Sequence, residues 1–150
     1  MPTLSTNKKA LSDYQVLEKL EAGIVLSGAE VKSVKNGQIN LKGSYVTINN
    51  QGEAWLIGAH ISAYKAASAG RATYQPDKSR KLLLHQKEID YLLGKTKEKG
   101  LTIMPISVYT KGSLIKLNIS LVRGKKLYDK RESIKKREID RQIRQKLKRF

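Results

Sequence analysis

The sequence contains no cysteine, which excludes a disulfide framework and any cysteine-built zinc site. No apolar run approaches the roughly 20 residues needed to span a bilayer. The opening MPTLSTNKKALSDY also lacks an apolar stretch of signal-peptide length. These absences predict a soluble, cytoplasmic protein. Histidine is scarce: His60 and His85 are the two in the chain, and neither has a metal-ligand or nucleophile constellation around it. His60 falls in a strand-like run and reads as packed or half-exposed. GKT at 94–96 looks like the end of a phosphate-binding loop, but Ile89 stands where that motif needs its first glycine. No catalytic residue, cofactor or metal is therefore expected, and the chain reads as a non-enzyme.

Acidic residues are the other shortage. Against 13 of them stand 30 lysines and arginines, a formal charge of +17. From Arg123 to Phe150 the chain holds 13 basic and 4 acidic residues; the preceding 122 residues carry 17 and 9, so the body is basic too. Charge of one sign at this density repels itself and suits a polyanionic partner. Nucleic acid leads, because displaced counterions help to drive its binding. An anionic membrane surface is the competing partner, but surface helices that bind lipid carry a broad apolar face. The tail offers few apolar residues, chiefly Ile134, Ile139, Ile143, Leu147 and Phe150, and no membrane association is expected.

Three regions follow: a flexible polar arm over residues 1–10, a body over 11–122 and a basic tail over 123–150. In the body, residues 13–26 are rich in strand formers. SGAEVKSVKNG (27–37) fits a short helix, with Ser27 and Glu30 at capping-box spacing and Gly37 as a left-handed stop. SYVTI and EAWLIGAHI flank the turn NNQG (49–52), a hairpin signal. Residues 62–80 are mostly small and polar and read as a long mobile loop. A short strand begins at Arg80, and a helix follows from about 86, with Ile89, Leu92 and Leu93 on one buried face and Gly100 as its stop. A second hairpin then runs through LTIMPISVY, a TKGS turn and LIKLNISLV. Ile115, Leu117, Ile119 and Leu121 alternate there with polar residues, so one face is buried and the other wet. Pro105 predicts an edge or a bulge. The fold class is mainly β: a small oligonucleotide-binding-type barrel with two helices and a basic tail.

Within that frame Glu21 reads as a solvated strand-end carboxylate, Glu30 as a helix cap and Trp55 as core. No role is read for Tyr45, Tyr64, Tyr74 or Tyr109. In the tail, Ile139, Ile143, Leu147 and Phe150 form one narrow helical stripe, and Glu132/Lys136 and Asp140/Arg144 have favourable spacing. A helix that firms up on a partner and a permanently solvated basic tail are both open. YDKR at 128–131 mixes an aromatic, a carboxylate and two cations, whereas phosphate neutralisation needs only the cations.

EAGIVLSGAEVKS (21–33), SYV (44–46), GEAWL (52–56), RKLLLHQKEI (80–89) and GKKLYDKRE (124–132) closely resemble the SmpB family, bacterial partners of transfer-messenger RNA (tmRNA). Ala29 stands where many relatives have Thr, and Gly43 where many have Asp. The resemblance implies an oligonucleotide-binding-type barrel that holds the tRNA-like domain of tmRNA. It also implies delivery of alanyl-tmRNA, with EF-Tu, to ribosomes stalled on messages lacking a stop codon, where translation switches to a tag-encoding frame. By matching position it places Glu21, Leu83 and His85 on the tmRNA-binding surface. Arg123, Gly124, Lys125 and Lys126 begin the basic tail. Tyr128, Asp129, Lys130 and Arg131 match a segment that enters the empty message channel and meets small-subunit rRNA near the decoding centre. An acidic group on an RNA surface can accept base or 2′-hydroxyl donors, which displaces the solvated reading of Glu21. Residues 62–80 gain no role from the resemblance.

Overall fold

The computed structural model describes residues 3–64, 73–98, 100–124, 139, 141 and 142. The described residues form β1 (Thr3–Thr6), α1 (Lys8–Asp13), β2 (Tyr14–Ile24), α2 (Gly28–Lys35), β3 (Ile39–Asn40), β4 (Tyr45–Ile48) and β5 (Ala54–Ile57). They continue with β6 (His60–Ile61), β7 (Arg80–Leu83), α3 (Gln86–Thr96), β8 (Leu101–Lys111) and β9 (Leu114–Gly124). The fold is mainly β and antiparallel, as the sequence predicts. Its hydrogen-bonded pairings return on themselves: β8 to β4, β5, β7, β2, β9 and back to β8. The long β8–β9 hairpin and the equally long β2 make up half of that cycle.

Alternation decides what is inside. Ile115, Leu117, Ile119 and Leu121 of β9 are buried with Ala22, Ala54, Leu56, Leu82 and Ile103, as the period of two in β9 requires. Pro105 sits at a bulge, where the β8–β9 register shifts between Pro105 and Ser107. Gly37 has φ of 77° and closes α2, with the Gly37 and Gln38 amides donating to the Val34 and Ser33 carbonyls at 2.9 and 3.0 Å.

Several expectations change. The N-terminal residues expected as a flexible arm include a strand and the start of a helix. β4 meets β8 only at Val46 and Ile103, leaving the rest of that β8 edge unpaired, and β1 fills it opposite Ser107–Tyr109. Asn7 then caps α1: its side chain accepts from Ala10 and donates to the Leu41 and Pro105 carbonyls at 3.2 and 3.0 Å. With α1 the described residues up to Gly124 have three helices, not two. Trp55 is half-buried rather than core, because Ala54 and Leu56 take the inward positions of β5. Leu93 lies outside the buried face of α3, which consists of Ile89 and Leu92. His60, by contrast, is half-exposed as expected, and its Nδ1 lies 2.8 Å from Asp77.

Glu30 does more than cap α2. The capping box with Ser27 is present, yet the carboxylate is also buried against Arg80, with side-chain exposures of 2% and 1%. Arg80 uses every N–H of its guanidinium. Nε donates to Glu30 Oε2 at 2.9 Å, and Nη1 donates to the Ala59 and Lys78 carbonyls at 2.9 and 3.1 Å. Nη2 donates to the Pro76 carbonyl and the Tyr74 hydroxyl at 2.8 and 3.1 Å. Residues 73–80 of the expected loop are thus wrapped around one side chain, while 65–72 lie outside the described residues. Burial alone would raise the Glu30 carboxyl; the Ser27 amide, Arg80 and Lys78 outweigh it and hold the group below its ordinary 4.5.

Two outcomes follow from this cluster. Arg80→Ala takes the main cation from a buried carboxylate and a donor from three carbonyls, and should cost about 3–5 kcal/mol, read as a lower urea midpoint. A folded carboxyl below its unfolded value stabilises above that unfolded value and loses the contribution as pH falls through the lower one. Glu30→Gln should therefore flatten the acid limb of stability below about pH 4.5 in pH-stepped urea titrations.

Candidate nucleic-acid interface

Glu21 lies near the C-terminal end of β2, opposite Asn118 of β9. Its inward neighbour Ala22 is buried, so Glu21 faces out. The Tyr109 hydroxyl reaches across β9 to donate to Oε2, and Lys111 Nζ lies 3.4 Å from Oε1. The Tyr109 hydrogen bond, set against partial burial and joined by the Lys111 and Lys116 cations, holds the Glu21 carboxyl below its ordinary value. Tyr109 is pushed up to about 12, by burial first and then by the adjacent carboxylate.

Two residues further along β2, Gly23 pairs with Leu83 of β7. A Cβ at Gly23 would stand 3.2 Å from the Leu83 Cβ, so glycine lets the leucine lie close over the strand. Leu83 is 56% exposed and Val25 is 51% exposed, large fractions for apolar side chains. The Val25 amide donates to the Lys81 carbonyl at 2.9 Å, which keeps the two strands together beyond the last ladder pair. On β7, Lys81 faces the same side as Leu83, opposite Trp55, and its ammonium meets Glu53 at 3.0 Å. His85 follows at the start of α3, exposed, with its main-chain amide donating to Glu88 at 3.0 Å.

The fold therefore brings Glu21 and Leu83 together through Gly23 and places His85 two residues beyond Leu83. The surface combines exposed apolar area, an ionised acceptor and lysines. RNA offers the matching set: base and ribose faces, hydroxyl and amine donors, and phosphates. Val25, Tyr109, Lys111 and Lys116 were not singled out from sequence. The alternation of β9 already placed Lys116 on its wet face; no one-dimensional pattern ties Tyr109 to Glu21.

Arg123 and Gly124 are elsewhere. They pair with Gln15 and Tyr14 at the opposite end of β2, nine residues from Gly23 and about 30 Å away at a strand's rise. Both are exposed. A groove of about 660 Å³ opens at this end, lined in part by Lys9, Tyr14, Lys42 and Tyr45. Lys125, Lys126, Tyr128, Asp129, Lys130 and Arg131 lie outside the described residues. Of the tail's apolar stripe, Ile139 is described; it is helical and half-exposed.

Among the described residues no three His, Asp or Glu side chains gather as a metal site, and no helix is long and apolar enough to cross a membrane. The family model described as "SmpB protein" matches residues 4–149. An SsrA-binding protein of Oleidesulfovibrio alaskensis is 49% identical over 144 residues, covering 96% of this chain and 91% of its own. One from a Sulfurihydrogenibium species is 52% identical over 140 residues, covering 93% and 90%. A solved chain described under "tmRNA-SmpB: a journey to the center of the bacterial ribosome" is 40% identical. It has a TM-score of 0.68 and covers 85% of this chain and 87% of that one. With a family match along nearly its whole length and relatives at this identity, the chain belongs to the SmpB family.

Proposed function

We propose that this protein binds the tRNA-like domain of tmRNA through the Glu21–Leu83–His85 face and acts with it in trans-translation on stalled ribosomes. The observation that carries the reading is the juxtaposition at Gly23. An ionised acceptor and an exposed leucine, far apart in sequence, share one outward surface of a basic body whose relatives are SsrA-binding proteins. Leu83 and Val25 would pack on ribose or base faces, His85 would donate or pack beside them, and lysines would meet phosphates. The protein acts by binding and positioning, not by catalysis.

The tail has a separate task in this reading. Arg123, Gly124, Lys125 and Lys126 begin the basic tail, and Tyr128, Asp129, Lys130 and Arg131 contact small-subunit rRNA near the decoding centre. The body meanwhile presents alanyl-tmRNA, delivered with EF-Tu. The distance along β2 between the two ends supports the division, because one RNA domain at Glu21 leaves the tail's exit free.

Leu83→Ala and Glu21→Ala should each weaken binding of the tRNA-like domain by about tenfold, the scale of a central contact, with unfolding midpoints unchanged. Retained affinity in both would overturn the assignment of this face. Replacing Asp129, Lys130 and Arg131 together by alanine should leave that affinity within about twofold and abolish tagging in a reconstituted translation assay. Loss of both would show that body and tail are not separable.

A further inference from the structure

The Glu21 carboxylate is not free on its surface. Each of its oxygens is taken by a different residue of β8: Tyr109 donates to Oε2, and Lys111 approaches Oε1 at 3.4 Å. The side chain is still 37% exposed. A carboxylate has about four lone-pair sites, so two donors leave acceptor capacity on both oxygens. The bridge is not needed to hold the strands. β2 pairs with β9 from Tyr14 to Gly23, and β9 pairs with β8 from Leu101 to Lys111, so the main chain already joins all three. Exposed side-chain pairs of this kind contribute little to stability. What the bridge does is select one rotamer of a long side chain in a field of lysines.

We infer that Tyr109 and Lys111 are positioning residues that hold Glu21 in one orientation as a preset acceptor for RNA hydroxyl or amine donors. The inference rests on the reading of Glu21 as an RNA contact. A glutamate loose beside Lys111 and Lys116 would have to leave a lysine and lose its rotamer freedom on binding. A pinned one has already lost that rotamer freedom before RNA arrives, and acceptor capacity remains on both oxygens without Lys111 leaving. The tyrosine hydroxyl suits this task because it donates without adding a second positive charge that would compete for phosphate. With its pKa pushed up to about 12, the phenol keeps its proton throughout the physiological range.

The test uses the full-length protein and a transcript of the tRNA-like domain of tmRNA at fixed salt, with Tyr109→Phe, Lys111→Met, Glu21→Gln and the double variant Tyr109→Phe/Glu21→Gln. Tyr109→Phe should lose about three- to tenfold in affinity, and the double variant should bind no worse than Glu21→Gln alone, since positioning has no value without the positioned group. Carboxyl-detected NMR of the free protein gives a readout that a purely structural role would not move. The Glu21 midpoint should rise in Tyr109→Phe, because the largest influence favouring its ionised form is gone. Wild-type affinity in Tyr109→Phe alongside a loss in Glu21→Gln would overturn the positioning role and leave the interface standing. An additive loss in the double variant would assign Tyr109 a contact of its own and overturn it as well. Wild-type affinity in Glu21→Gln would remove the interface reading and this inference together.

Discussion

The buried pairing of Glu30 with Arg80 is the constraint on which the rest of this structure depends. Isolated, either charge would be costly to bury; together, with every guanidinium N–H bonded, they form a fixed point between the two halves of the candidate interface. Glu30 opens the helix that directly follows β2, the strand bearing Glu21 and Gly23. Arg80 is the first residue of β7, the strand bearing Leu83 and leading to His85. The same guanidinium gathers Ala59, just before β6, with Tyr74, Pro76 and Lys78 of the long connection between β6 and β7. A connection of that length would otherwise leave the start of β7 poorly defined. The close approach of Leu83 over Gly23 needs it well defined.

The surface that results is unusual for a chain of +17. At its centre it exposes apolar side chains and an acidic group rather than a cluster of cations. General attraction to RNA is available from lysines almost anywhere on the body, and such attraction carries no discrimination. Discrimination needs groups that reward particular donors and shapes, and in the proposed reading Glu21, Leu83 and Val25 supply them. The cations dominate instead in the tail sequence, whose first residues Arg123 and Gly124 lie at the far end of β2 and β9.

Much of the fold was legible because its signals are local. Ser27 and Glu30 at a spacing of three, Gly37 at the position needing positive φ, Pro105 in a long strand and the alternation of Ile115 to Leu121 each dictate geometry within a few residues. What stayed hidden was decided by distant partners. Arg80 is one basic residue among 30, and its burial depends on acceptors up to 50 residues away. Trp55 sits in an apolar run whose inward face is chosen by its neighbours Ala54 and Leu56. β1 forms because β4 leaves an edge open, a fact no reading of TLST contains. The candidate interface was legible only through motif resemblance, which named Glu21, Leu83 and His85; their contacts with Gly23, Tyr109 and Lys111 became visible once the strands were paired.

The most direct measurement is amide and methyl NMR of the isotopically labelled full-length protein, titrated with the tRNA-like domain of tmRNA. Perturbations should gather at Glu21–Val25, Lys81–His85 and Tyr109–Asn118, with the tail from Lys125 onward little changed. Perturbations confined to the tail, with those three segments silent, would contradict the assignment of RNA binding to the body and of the tail to a separate surface.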